Sequence, residues 1–269
     1  MSTYMTPDNL VATGMTFFDR YVAKLSDGLA RSYFLSHRER FKRTLSFIPP
    51  ATGYAHAIEL AATDFFQIVL KSFFGYSVVS GTQISTNIEE KICHKKFESD
   101  EFQTQNLIVS IDLESDLLPF EDGCIDLVLC CEVIEHLDVD PMFMLAEINR
   151  VCKVGAHVLI TTPNSCSARN FWKIAHGYRP HFFMQYEKSR SPYRHNIEYD
   201  IHALATLLTA AGFELRQIET HDVFEPPMPE AVELLKTNAL PFGHRGDGIF
   251  LLAQKISGVN DRWPQGIYV

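Results

Sequence analysis

The sequence predicts an α/β domain in which a mostly parallel sheet of seven strands carries helices on both faces. After Pro50, short apolar runs alternate with amphipathic stretches, without a fixed-period repeat or a low-complexity segment. Most of these runs are apolar at successive positions, as strands must be when helices cover both sides of their sheet.

The elements follow in order. From Asn9 to Phe47 the spacing is helical, with Phe17, Phe18, Tyr21, Val22, Leu25 and Leu29, then Phe34, Leu35, Phe41 and Leu45, at intervals of three and four. Pro49 and Pro50 end it. Strands are expected at His56 to Ala61, Tyr76 to Ser80, Leu107 to Asp112, Ile125 to Cys131 and His157 to Thr161. Asp140 caps a helix with Pro141 in its first turn, running towards Lys153 and ended by Gly155. Asp200 and Gly212 bracket another, on which Ile201, Leu204, Leu207, Leu208 and Ala211 share one face. A strand from Phe213 to Glu219, a Pro-rich loop, a short helix near Glu230 to Leu235 and a last strand from Gly248 to Lys255 complete the set. Residues 1–48 thus form an N-terminal helical segment and 49–257 the α/β domain, with 165–195 an insertion or lid. Residues 258–269 are expected to be a peripheral tail.

Composition narrows the function. With 269 residues, 46% hydrophobic and 21% charged, the chain is globular. Lys and Arg number 24 against 33 Asp and Glu, and the net charge of −9 argues against bulk binding of nucleic acid or anionic lipid. The six cysteines include no Cys-x-x-Cys and no spacing suited to zinc, so neither a disulfide framework nor a metal is expected. No basic stretch leads into an apolar segment near the N-terminus, and no run reaches the roughly 18 apolar residues of a membrane span; a cytoplasmic location is expected.

Ligands of open α/β sheets bind beyond the carboxyl ends of the strands. At one such end stands Asp112-Leu113-Glu114-Ser115-Asp116-Leu117-Leu118-Pro119-Phe120, followed by the turn Glu121-Asp122-Gly123 and by Ile125-Asp126-Leu127-Val128. Cys131-Glu132-Val133-Ile134-Glu135-His136-Leu137, Leu145 to Val151, and a strand ending in Thr162-Pro163-Asn164 continue the pattern. This stretch resembles the central signature of class I S-adenosylmethionine-dependent methyltransferases, with Ile125 in place of a Phe. The resemblance covers roughly residues 40 to 165 and more loosely the helix and strands after Asp200. It implies a Rossmann-like sheet and S-adenosylmethionine as cofactor.

The resemblance also assigns residues. Glu59 takes the place of the acid ending the first strand, and Ala61, Thr63 and Phe65 fill the glycine positions after it. Alanine held at positive φ costs on the order of 1 kcal/mol, and a Phe ring there could occupy cofactor space. Gln83 stands where an acid usually accepts from the ribose hydroxyls. Asp112 and the Leu113 backbone are placed for the adenine, and Cys131, through its backbone, and Glu132 for the methionine end. Each has a plainer alternative: Glu59 pairing with a backbone amide, Asp112 capping its loop, the cysteines as small strand residues.

Methyl transfer from a sulfonium is a direct displacement, so alignment and exclusion of water matter most. An alcohol acceptor also needs a base, for which His136 is the first candidate and His195 the second. Their alternatives are a helix-start histidine bound to a loop and a surface histidine. The insertion sets Arg169, Lys173, Arg179, Lys188, Arg190 and Arg194 against Glu187 alone, interleaved with Phe171, Trp172, Tyr178, Phe182, Phe183, Tyr186 and Tyr193. It suits either closure over an anionic or sugar-containing acceptor or a helical cover with a solvated basic side. The expected function is methyl transfer to oxygen of a small or glycan-linked acceptor. The alternative is a methyltransferase-like protein that has lost the cofactor and serves as a binding or scaffolding subunit.

Overall fold

The computed structural model describes residues 6–84, 92–98, 102–180 and 194–268. Three helices open it: α1 (Pro7–Lys24), α2 (Gly28–Ser36) and α3 (Arg38–Phe47). The helical spacing from Asn9 to Phe47 is thus carried by three helices, with breaks at Leu25 to Asp27 and at His37. Asp27 causes the second start, accepting from the amide of Leu29 at 2.9 Å.

The α/β part then runs β1 (His56–Glu59), α4 (Asp64–Ser72), β2 (Val78–Ile84), β3 (Ile92–Glu98), β4 (Gln103–Ile111) and β5 (Ile125–Cys131). A single 3-10 turn, Ile134–His136, leads to α5 (Pro141–Val151), β6 (Cys152–Pro163), α6 (Ala168–Ala175), α7 (Ile201–Ala210), β7 (Phe213–His221), α8 (Pro229–Thr237) and β8 (Gly248–Lys255). The sheet order is β3-β4-β2-β1-β5-β6-β8-β7. Its middle is parallel, while β3 pairs antiparallel with β4, and β8 antiparallel with both β6 and β7. The order reverses between β1 and β5, so the two crossovers leave to opposite faces and open a crevice at the carboxyl ends of these strands.

Alternation along the strands divides two apolar layers. Ile58, Val128, Ile160 and Leu251 face α5 and α7, whereas Ala57, Leu127, Leu129 and Phe250 face α1, α3 and α4. In the second layer Phe65 stacks against Phe17 and meets Phe18, Phe34, Phe41 and Phe66 edge-on. The N-terminal helices are thus part of the same core as the sheet.

Three expectations are corrected. The sheet has eight strands, not seven, because Ile92–Glu98 adds an edge whose His94, Lys95 and Lys96 hid it as an apolar run. Gly155 does not end α5: the helix stops at Val151, and the amides of Gly123 and Cys124 donate to the carbonyls of Arg150 and Val151, which releases the chain directly into β6. Gly155 lies within β6 at φ +89°. The tail is docked, not peripheral: Arg262 and the Tyr268 hydroxyl both reach the Asp140 carboxylate at the start of α5, and the amide of Met142 donates to Tyr268 at 3.0 Å.

Candidate active site

The turn from β1 into α4 forms one wall of the crevice. Ala61 sits at φ +51°, the left-handed region expected of a glycine position, and its amide donates to Thr82 Oγ1 at 3.1 Å. The close approach required here is met from the other side, by Gly81 of β2. A Cβ on Gly81 would lie 2.5 Å from that of Ala62 and 3.1 Å from Gln67 Nε2. Thr63 is no lapsed glycine. It caps α4 by accepting from the amide of Phe66, and its amide and hydroxyl both donate to Glu59 Oε1, at 2.9 and 2.8 Å.

Glu59 therefore braces the turn. Its other oxygen accepts from Gln67 Nε2 at 2.8 Å, and Gln67 is joined through Asn106 to Thr104 in a buried polar chain. Burial pushes the Glu59 carboxyl up to about 8, against the hydrogen bonds from Gln67 and Thr63 that favour its charged form. The Phe65 ring is fully buried, and its aromatic neighbours lie on α1 to α3 and at Phe66.

On the next strands, Gln83 donates its amide to Ser110 Oγ at 2.7 Å, directly across from it in β4. Asp112 is exposed at the end of β4 and accepts from the amide of Glu114 at 2.9 Å, so it does shape its own turn; Leu113 beside it packs partly into the core. Glu114, beside them in the same stretch, has a structural role. Its carboxylate accepts from the amides of Asp138, Val139 and Asp140 and fixes the loop beyond His136.

The end of β5 forms the opposite wall. Burial pushes the Cys131 thiol up, which keeps it protonated and inert. Glu132 takes a left-handed conformation at φ +56°, its carboxylate accepting from Thr161 Oγ1 at 2.7 Å. Arg40, from α3, brings Nη1 to 3.5 Å from Glu132 Oε2 with both side chains largely buried. The Arg40 guanidinium also lies 5.2 Å from the Phe41 ring centre and donates to the Tyr33 hydroxyl, while its buried Nε makes no hydrogen bond among the described residues. Periodicity alone makes Arg40 one more residue of an amphipathic helix, so nothing local marked it.

The two candidate bases come together. His136 and His195 meet edge to face with ring centres 4.8 Å apart. His136 Nδ1 lies 3.1 Å from the carbonyl oxygen of Arg194, which can only accept, so Nδ1 carries the proton and Nε2 the lone pair. His195 is buried, not a surface histidine, and its Nδ1 lies 3.6 Å from Glu198 Oε1. Glu135, absent from the expected set, joins them with Oε1 at 4.0 Å from His136 Nε2.

The basic insertion is divided in its uses. Phe171 and Trp172 pack against α8 beside Ala231 and Leu235, and Arg169 donates to the carbonyl of Pro226. These serve as cover. Phe182, Phe183, Tyr186, Glu187, Lys188, Arg190 and Tyr193 lie outside the described residues. A separate cavity of about 230 Å³, lined by Arg169, Asp222, His244 and Arg245 among others, takes in none of the expected site residues.

Residues 63–160 match the family model described as a methyltransferase domain. Over these residues the chain is similar to methyltransferase domains. Among curated protein sequences none matches this chain. A S-adenosylmethionine-dependent methyltransferase from Archaeoglobus fulgidus is similar in structure, with 17% identity, a TM-score of 0.53, and cover of 85% of this chain and 100% of that one. A chain from the complex of the Haloferax volcanii Trm112 methyltransferase activator with a putative methyltransferase is 14% identical, with a TM-score of 0.54 and 89% and 98% covered. A possible histamine N-methyltransferase from Thermotoga maritima is 17% identical, with a TM-score of 0.52 and 91% and 99% covered. At such identities the likeness establishes the fold. No helix among the described residues is long and apolar enough to cross a membrane.

Proposed function

We propose that this methyltransferase domain moves the methyl group of S-adenosylmethionine to an oxygen of a small or glycan-linked acceptor, anionic acceptors included. The observation that carries the reading is Arg40: a guanidinium buried at the end of β5, beside Glu132, with Nε making no hydrogen bond among the described residues. S-adenosylmethionine has a carboxylate and an ammonium at one end, and this cation and anion, side by side, suit that pair. The residues fit the donor. On this reading Arg40 and Glu132 hold the methionine end with the Cys131 backbone, Asp112, the Leu113 backbone and Gln83 hold the nucleoside, and the Glu59-braced turn at Ala61 and Thr63 leaves room between them.

The donor supplies an electrophilic methyl on a sulfonium. The chain aligns the acceptor oxygen, excludes water and removes a proton, for which His136 Nε2 is placed with a lone pair and His195 lies against it. The basic side chains of the insertion favour a negatively charged acceptor. Incubation of the full chain with methyl-labelled S-adenosylmethionine and a panel of hydroxylated sugars, sugar phosphates and phenols tests this. Label in an ether or methyl ester of one class is expected, and label only on nitrogen acceptors would overturn the choice of oxygen.

A further inference from the structure

We infer that Glu135, His136 and His195 form a binding site for one divalent first-row transition ion. One donor atom from each lies within 4.8 Å of the other two. Two imidazole nitrogens and one carboxylate oxygen are the donor set of many catalytic zinc and iron sites, which leave further positions on the ion open.

The decisive observation is Glu135. Its side chain is fully buried, and one oxygen is held by the Thr162 hydroxyl at 2.9 Å. The other, Oε1, faces His136 Nε2 at 4.0 Å and makes no hydrogen bond among the described residues. Leaving a buried carboxylate oxygen unsatisfied costs several kcal/mol unless a cation or a proton comes to it.

The surroundings are those of a prepared ligand set. His136 donates Nδ1–H to the carbonyl of Arg194, which turns the Nε2 lone pair to the common point, as metal-binding histidines do with a backbone carbonyl. His195 has a carboxylate, Glu198, at 3.6 Å from Nδ1. The segment bearing His195 is clipped to the 3-10 turn that bears the other two: the amides of Asn196 and Ile197 donate to the carbonyl of Glu135, and Asn196 Nδ2 donates to that of His136 at 2.8 Å. Donors around a tetrahedral ion with bonds of about 2.1 Å stand about 3.4 Å apart, so the set must contract by roughly 1.4 Å at most. Side-chain rotation on binding supplies movements of that size.

Beside the end of β5 such an ion would hold the acceptor oxygen and lower the pKa of its hydroxyl, so that the proton would leave to solvent; the role of His136 Nε2 as base belongs to the ion-free chain. The ion's role rests on the methyl-transfer reading; the binding itself does not, and it is tested without donor or acceptor. The full chain is stripped with a chelator, dialysed against Zn²⁺ and analysed for bound metal. One Zn²⁺ per chain is expected, with affinity lowered at least about 100-fold in each of Glu135→Gln, His136→Gln and His195→Asn. No stoichiometric uptake by the folded wild type at about 100 μM Zn²⁺, or the same uptake by the triple variant, would overturn the proposal. Should the variants fail to fold, the visible spectrum of wild type with Co²⁺ decides: intense bands of a low-coordinate ion uphold the site, and the weak spectrum of hydrated Co²⁺ overturns it.

Discussion

Arg40 of α3 and Glu132 at the end of β5 meet across 3.5 Å, and they join the N-terminal helices to the site. Residues 1–48 are therefore no detachable segment, since α3 supplies a buried guanidinium that faces the β5 wall. Arg40→Gln is expected to weaken S-adenosylmethionine binding at least about tenfold, the worth of one charge-assisted hydrogen bond. Methylthioadenosine, which lacks the amino-acid end, should bind both proteins alike. Calorimetric titration of each ligand checks this; equal losses for both would place Arg40 elsewhere.

Ala61 and Thr63 respond in opposite directions to replacement by glycine. Ala61→Gly relieves a left-handed residue and should stabilise the protein by up to about 1 kcal/mol. Thr63→Gly removes the cap of α4 and a hydroxyl bond to Glu59, and should cost about 1–2 kcal/mol. Urea denaturation midpoints of the two variants give the signs.

Gly81→Ala is expected to destabilise by about 1–3 kcal/mol, because the new Cβ would stand 2.5 Å from a Cβ fixed to the backbone of Ala62. As the strain falls on the β1 to α4 turn, the variant should also bind S-adenosylmethionine more weakly. Thermal unfolding and calorimetry measure the two effects.

Glu59 makes stability depend on pH. Burial raises its folded pKa to about 8 from an ordinary 4.5, so below 4.5 both folded and unfolded chains hold the proton and nothing is lost. Between 4.5 and 8 the unfolded chain releases it first, and stability falls as pH rises; above 8 the penalty is constant. Glu59→Gln should flatten this slope. Denaturation midpoints from pH 5 to 8 for both proteins test it, and parallel curves would contradict it.

Much of the fold was legible because the signals were local. Ile125–Cys131 and Gly248–Lys255 are found with the limits read from their apolar runs, and Asp200 caps α7 as its position before Ile201 requires. The strand Ile92–Glu98 was not legible, since an edge strand keeps polar residues that its paired neighbours cannot. Glu59, Asp112 and Glu132 are candidates in the sequence because the family resemblance falls on strand ends, and the structure finds them at the ends of β1, β4 and β5. Arg40 and Glu135 are not among these candidates. Their meaning lies in contacts with Glu132, some ninety residues away, and with a segment near His195 that the chain returns only through the insertion.

The most direct measurement is calorimetric titration of the full chain with S-adenosylmethionine and S-adenosylhomocysteine. One-to-one binding of both, clearly tighter than millimolar and so worth more than about 4 kcal/mol, is expected. Folded protein that binds neither more tightly than about millimolar would contradict a working cofactor site and leave the scaffold reading.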